Sequence, residues 1–202
     1  MTETNMNTSN PLMGERRPGT VGPPLPGVSV KVVGTSEESV PAGEIGDLLV
    51  KGDNVFKTYW QLPDKNAESF TEDGYFRTGD KALIDADGYV SIVGREKDMI
   101  ISGGLNVYPK EIESLIDRWP GVMESGVIGV PHQDFGEAVV AVLVLDGTAD
   151  LDEAGLDASL KSKLANFKLP KRYITIDELP RNTMGKVGKA ALRGQYAELF
   201  SD

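Results

Sequence analysis

The chain has 202 residues, of which 40% are hydrophobic and 26% charged, with a net charge of −10; these values fit one large or two small globular domains. The negative balance argues against nucleic acid or an anionic membrane as partner, since both need basic surface. There is no cysteine and His132 is the single histidine, which excludes disulfides, a cysteine nucleophile and a histidine-built metal site.

The first eleven residues, MTETNMNTSNP, are rich in Thr and Asn without periodicity, so they read as a leader that frays. They lack the basic-then-apolar pattern of a signal peptide. No apolar run approaches the roughly 18 residues of a membrane span. A soluble cytoplasmic protein is therefore expected.

From 19 to 94 the chain reads as short strands between turns, at 28–33, 46–51, 81–84 and 89–93. Asp85-Ala86-Asp87-Gly88 reads as the hairpin turn joining the last two. Strands at this spacing suggest a small barrel or an antiparallel sheet. After Asp98 the pattern changes. Pro109 opens a helix over 110–116, with Ile112, Leu115 and Ile116 apolar. Strands follow at 122–130 and 137–145, the second almost continuously apolar. A helix over 151–164 aligns Leu156, Leu160 and Leu164 on one face. A short strand at 173–176 and a helix over 189–200 complete the chain. The expected class is α+β, with a β-barrel-like subdomain within 1–97 and a compact α+β domain over 98–202.

Three segments combine glycine, charge and a turn. In Tyr75-Phe76-Arg77-Thr78-Gly79-Asp80, a carboxylate set by a glycine turn can accept hydrogen bonds from a vicinal diol; an acidic residue closing a hairpin is the plainer alternative. Gly94-Arg95-Glu96-Lys97-Asp98, then Ser102-Gly103-Gly104, offers an arginine for phosphate or hydroxyls and a glycine pair for close backbone approach. A charged linker before a tight turn would look the same. Pro180-Arg181-Asn182-Thr183-Met184-Gly185-Lys186 puts a lysine on a glycine-flanked loop, suited to phosphoryl oxygens, or simply a solvated basic loop. His132, Trp60 and Trp119 read as turn or packing residues.

In order and spacing these segments resemble the adenylate-forming superfamily of acyl-CoA synthetases, peptide-synthetase adenylation domains and luciferases. The resemblance runs from Met1 to about Leu192, and Met1-Thr2-Glu3-Thr4 is similar to the end of that family's Tyr-Gly-Met-Thr-Glu segment. Residues 1–97 would then be the end of the family's large domain, and 98–202 its mobile C-terminal domain. The resemblance implies a carboxylate attacking the α-phosphate of ATP to give acyl-AMP, which CoA then converts to acyl-CoA. It also implies roles by position. Thr2 would contact the AMP phosphate, Glu3 would coordinate Mg²⁺, and Asp80 would bind the ribose with Arg95. Lys186 would neutralise charge at the α-phosphate. Asp98 would be the hinge, and Ser102, Gly103 and Gly104 would line the pantetheine tunnel. Met1–Pro11, chiefly its Asn5-Met6-Asn7-Thr8, and the stretch from Gly103 to Glu113 resemble bacterial malonyl-CoA synthetases, which favours malonate as the acid.

The family's phosphate loop and acid pocket are expected in a missing N-terminal portion, so the chain alone is expected to be inactive. A peptide-synthetase adenylation domain is the nearest alternative, disfavoured because no carrier domain follows Tyr196. A non-catalytic scaffold fragment is a further alternative, disfavoured because all four motifs keep their functional residue types.

Overall fold

The computed structural model describes residues 1–148 and 150–201, which form two compact units, Met1–Lys97 and Asp98–Asp202. Unit 1 contains β1 (Val28–Val33), β2 (Gly46–Gly52), helix α1 (Pro63–Ser69), β3 (Phe76–Ile84) and β4 (Val90–Arg95). The strands make an antiparallel sheet in the order β1-β2-β3-β4. Among the described residues no pairing joins β1 to β4, so the expected barrel-like subdomain is an open sheet. The outer edge of β4 is instead covered by the incoming chain, where Val21 N–H donates to Val90 O at 2.8 Å and Val90 N–H to Gly22 O at 3.1 Å.

The apolar core of this sheet is small, built on Val32, Leu48, Ala82 and Val90. Phe56 adds an aromatic group, with its ring 5.3 Å from Phe76, 5.5 Å from Phe70 and 4.6 Å from Tyr59. Much of the remaining order is polar. Asp85 accepts from the N–H groups of Asp87 and Tyr89 in the predicted hairpin turn, and Arg17 pairs with Asp85 at 2.9 Å and Asp87 at 2.8 Å.

The N-terminal segment is not the frayed leader that its composition suggests. Thr4 is fully buried, and the Asn54 side-chain amide donates to Thr4 O at 2.6 Å and Asn7 Oδ1 at 2.9 Å. Leu25 N–H donates to Asn7 O at 3.0 Å. Asn7, one of the residues that suggested disorder, closes this network together with Asn54.

Unit 2 contains β5 (Ile100–Ser102), β6 (Leu105–Val107), α2 (Pro109–Ile116), β7 (Val122–His132), β8 (Gly136–Leu145), α3 (Glu153–Lys161), β9 (Arg172–Thr175) and α4 (Lys189–Gln195). The sheet runs β6-β5-β8-β7, with β9 parallel to β8. Alternate residues of β8 feed two cores. Val139, Ala141 and Leu143 join Ile112, Ile116, Leu156 and Leu160 of α2 and α3. Val140, Val142 and Val144 join Leu179 and Leu192 on the other face. A strand covered on both faces carries no polar alternation, which is why β8 is continuously apolar.

Helices α3 and α4 are shorter than the expected 151–164 and 189–200. Asp152 caps α3 by accepting from Gly155 N–H at 3.0 Å, and Leu164 packs into the core from beyond the helix end. Helix α4 stops at Gln195, just past Gly194, a poor helix former. Among the described residues no helix is long and apolar enough to cross a membrane.

Candidate functional site

In unit 1, the sheet register brings Asp80 and Arg95 together from separate motifs. They are direct partners across β3 and β4, and Arg95 Nε lies 2.8 Å from Asp80 Oδ1. Thr78 organises both. Its carbonyl accepts from Arg95 at 3.1 Å, its hydroxyl accepts from Asp80 N–H at 3.1 Å, and that hydroxyl donates to Leu48 O at 2.8 Å. Gly79 sits at φ +70°, a left-handed value that glycine adopts without strain. The result is a carboxylate held by a charge-assisted hydrogen bond, beside a cleft of about 240 Å³ lined by Asp47, Leu49, Arg77, Thr78, Gly79 and Glu96. Such a carboxylate can accept from a vicinal diol.

Thr2 and Glu3 form a second group. Glu3 Oε2 accepts from the Thr2 hydroxyl at 3.1 Å, and Oε1 accepts from the Tyr59 hydroxyl at 3.3 Å. Phe56 N–H donates to Glu3 O at 2.8 Å, fixing the backbone. The Glu3 carboxyl is held below the usual range, first by its own backbone N–H, with both hydroxyls assisting against the opposing effect of burial. Burial, then the Glu3 charge, pushes the Tyr59 phenol up. Among the described residues no group of three or more His, Cys, Asp or Glu could hold a metal. A single ionised carboxylate still suits Mg²⁺, which takes one or two carboxylates and completes its shell with water and substrate phosphates.

In unit 2, Asp98 ends a short 3₁₀ turn, Glu96–Asp98, and its Oδ1 lies 3.5 Å from Arg193. Ser102 is buried at the end of β5 and pairs with Leu105 of β6. Gly103 and Gly104 form the two-residue turn between them, at φ +59° and +77°, as in a type I′ hairpin turn. Gly103 N–H donates to Phe135 O at 2.8 Å. Nothing lies within 4 Å of where a Cβ would stand on either glycine, so a ligand can approach this backbone closely.

Lys186 lies on a tight loop. The Asn182 side-chain oxygen accepts from Met184 N–H and Lys186 N–H, each at 3.0 Å. Asn182 N–H donates to Lys186 O at 2.9 Å, and Gly188 N–H to Pro180 O at 2.6 Å. The Lys186 side chain is exposed, and among the described residues no carboxylate pairs with its ammonium.

Thus Thr2 joins Glu3, Asp80 joins Arg95, and Ser102, Gly103 and Gly104 share one turn, while Asp98 and Lys186 each stand in their own contacts. Three further residues hold these groups in place. Thr78 and Asn182 lie inside motifs already singled out, and an Asn that folds back onto its own backbone is a recognisable turn signal. Tyr59 carries no local signal, because its link to Glu3 spans 56 positions.

The model of the AMP-binding enzyme family matches residues 1–60, and that of the AMP-binding enzyme C-terminal domain matches 111–186. The chain belongs to the AMP-binding enzymes. It is 44% identical to the malonate–CoA ligase of Arabidopsis thaliana over 96% of this chain and 33% of that protein. It is 42% identical to the sulfoacetate–CoA ligase of Cupriavidus necator over 95% of this chain and 38% of that protein. The chain therefore spans about a third of the length of these relatives. The crystal structure of ATP-bound MatB from Rhodopseudomonas palustris superposes with a TM-score of 0.92 at 57% identity, over 99% of this chain and 40% of that one.

Proposed function

We propose that the chain is the C-terminal part of an ATP-dependent, AMP-forming acid–CoA ligase whose acid is malonate. The observation that carries this reading is the division of labour just described. Unit 1 carries a fixed Asp80–Arg95 pair suited to a ribose, and unit 2 carries an exposed lysine on a braced loop. Asp80 accepts the ribose hydroxyls, Thr2 meets the AMP phosphate, and Glu3 holds Mg²⁺, which offsets phosphate charge when bound. Lys186 lies against the α-phosphate as the carboxylate attacks and pyrophosphate leaves, stabilising charge as it develops.

CoA thiol then attacks the acyl carbon of the mixed anhydride, and AMP leaves. Ser102, Gly103 and Gly104 line the thiol's path, because the bare glycine turn leaves room for a thin chain. Asp98 is the hinge that exchanges the lysine loop for the glycine turn, a change that needs only one or two residues with altered dihedrals. Residues 1–97 belong to the large domain and 98–202 form the mobile one. Adenylation also needs residues upstream of this chain, and the reaction takes place in the cytoplasm. Malonate is favoured because the Arabidopsis thaliana relative is a malonate–CoA ligase. Malonate and sulfoacetate are also alike in carrying a second anionic group on the α-carbon.

The test is a chimera in which this chain replaces the matching 40% of Rhodopseudomonas palustris MatB. AMP release is then scored with CoA against malonate, sulfoacetate, acetate and an aromatic acid. Malonate-dependent AMP release supports the reading. A folded chimera that adenylates no acid refutes it. Because MatB supplies the acid pocket in that chimera, the malonate assignment is tested separately, by the same acids on this chain joined to its own upstream portion, where preference for a different acid refutes it.

A further inference from the structure

The segment from Arg181 to Lys189 carries three cations, and two are held by carboxylates. Arg181 pairs with Glu124 of β7 and donates to Gly185 O at 2.9 Å. Lys189, the first residue of α4, lies 2.6 Å from Glu113 of α2, with side chains only 16% and 8% exposed. Among the described residues Lys186 is the one cation of the segment without a carboxylate.

Glu113 also binds the strand beneath. Its Oε1 accepts from Val127 N–H at 2.9 Å, and β7 is an edge of the sheet, where backbone donors lack a neighbouring strand. One buried carboxylate thus ties α2, the edge of β7 and the start of α4 together. Between Glu124 and Val127 lies Gly126, where a Cβ would stand 3.2 Å from Leu192 and 3.6 Å from Val187. The bare backbone there lets the loop and α4 sit directly on β7. The loop is therefore fixed at both ends, directly to β7 by Arg181 on Glu124, and to α2 by Lys189 on Glu113, which in turn accepts from Val127 of β7.

We propose that Glu113 is a positioning residue for Lys186. It clamps Lys189 and thereby sets the C-terminal end of the loop, and it neutralises Lys189 so that the loop presents a single free ammonium. This rests on Lys186 as the adenylation cation. Stabilisation of a developing charge depends on donors fixed in advance, and displacement of about 1 Å can cost 10²-fold in rate.

Glu113→Gln tests this with little change of shape, since the amide oxygen still accepts from Val127 while Lys189 loses its counter-charge. Lys189→Met removes the same link from the other side, and Lys189→Arg preserves it. Two readouts are used. In the 202-residue chain, amide exchange across 182–188 is expected to rise at least tenfold in Glu113→Gln and Lys189→Met, with exchange in β8 unchanged. In the MatB chimera, malonate-dependent ATP–pyrophosphate exchange is expected to fall at least tenfold in both variants. Thioester formation from supplied malonyl-AMP should hold, and Lys189→Arg should stay within about twofold of the parent.

Unchanged loop exchange overturns the proposal, as does parallel loss of both half-reactions, which marks a purely structural ion pair. The exchange readout does not depend on the ligase reading, whereas a parent chimera without pyrophosphate exchange refutes that reading.

Discussion

The two units are stabilised in different ways. Unit 2 sandwiches its central strand between two apolar layers, and seven successive residues from Ala138 to Val144 are buried. Unit 1 has fewer buried apolar residues, eight against twenty-one among those described, with only four of them in its central cluster, and it adds polar bracing by Asn54, Arg17 and Asp85. Apolar burial is non-directional and tolerates variation in detail, whereas a polar network loses its value once one member is left without a partner. Unit 2 should therefore be sensitive to lost volume, and unit 1 to lost hydrogen bonds and close backbone approaches.

The largest effect is expected from Ile112→Ala. Ile112 is fully buried between α2 and the sheet, and such truncations cost about 2–5 kcal/mol. Urea unfolding followed by Trp119, which packs on the same cluster, should show the loss. Val32→Ala in unit 1 should cost less, about 1–2 kcal/mol for its two methyl groups. Equal costs at both sites would break the contrast.

Gly22→Ala comes next. Its Cβ would stand 2.1 Å from the Ser9 carbonyl carbon at φ +83°, combining a backbone clash with a strained dihedral. We expect about 2–3 kcal/mol, with amide exchange rising in residues 7–10 and not in unit 2. Asn54→Ala should cost only about 1 kcal/mol. It removes the amide bonds to Thr4 and Asn7 but also a buried amide oxygen that has no partner among the described residues.

The smallest effect concerns pH. The Asp85 carboxyl is held below its usual value, first by Tyr89 N–H, then by Asp87 N–H and the Arg17 guanidinium. Because its folded value lies below its unfolded one, its contribution is complete above the ordinary carboxylate range, about pH 4–5, and is lost as pH falls through the depressed value. The stability difference between the parent and Asp85→Asn should therefore shrink from pH 6 to pH 3. A difference constant over that range would show that the carboxylate charge does not brace this turn.

The same contrast explains what the sequence made legible. The continuous apolar run of β8 and the Pro109 start of α2 were readable, because two-sided burial and a proline at the first helical position leave local marks. Strand β3 is longer than its readable part, 81–84, because its first half, with Thr78 and Gly79, is chemically a turn. Helix α1 was invisible for want of a buried face. The β5–β6 hairpin was hidden because its strands have three residues each and its glycine pair suits a ligand loop equally well.

At the candidate site, residue types could be listed but their pairing could not. Asp80 meets Arg95 only through the β3–β4 register, which contains a bulge between Lys81 and Ala82. Tyr59 reaches Glu3 across most of unit 1, and Glu113 lies inside an ordinary helix start. Long-range partners of this kind leave no periodic trace.

The most direct test is ATP–pyrophosphate exchange with malonate in the MatB chimera, comparing the parent with Lys186→Ala. Loss of at least 100-fold with unchanged ATP affinity is expected if Lys186 serves the developing charge at the α-phosphate, since removal of one such donor typically costs about 10²–10³ in rate. Exchange within about twofold of the parent would contradict that role.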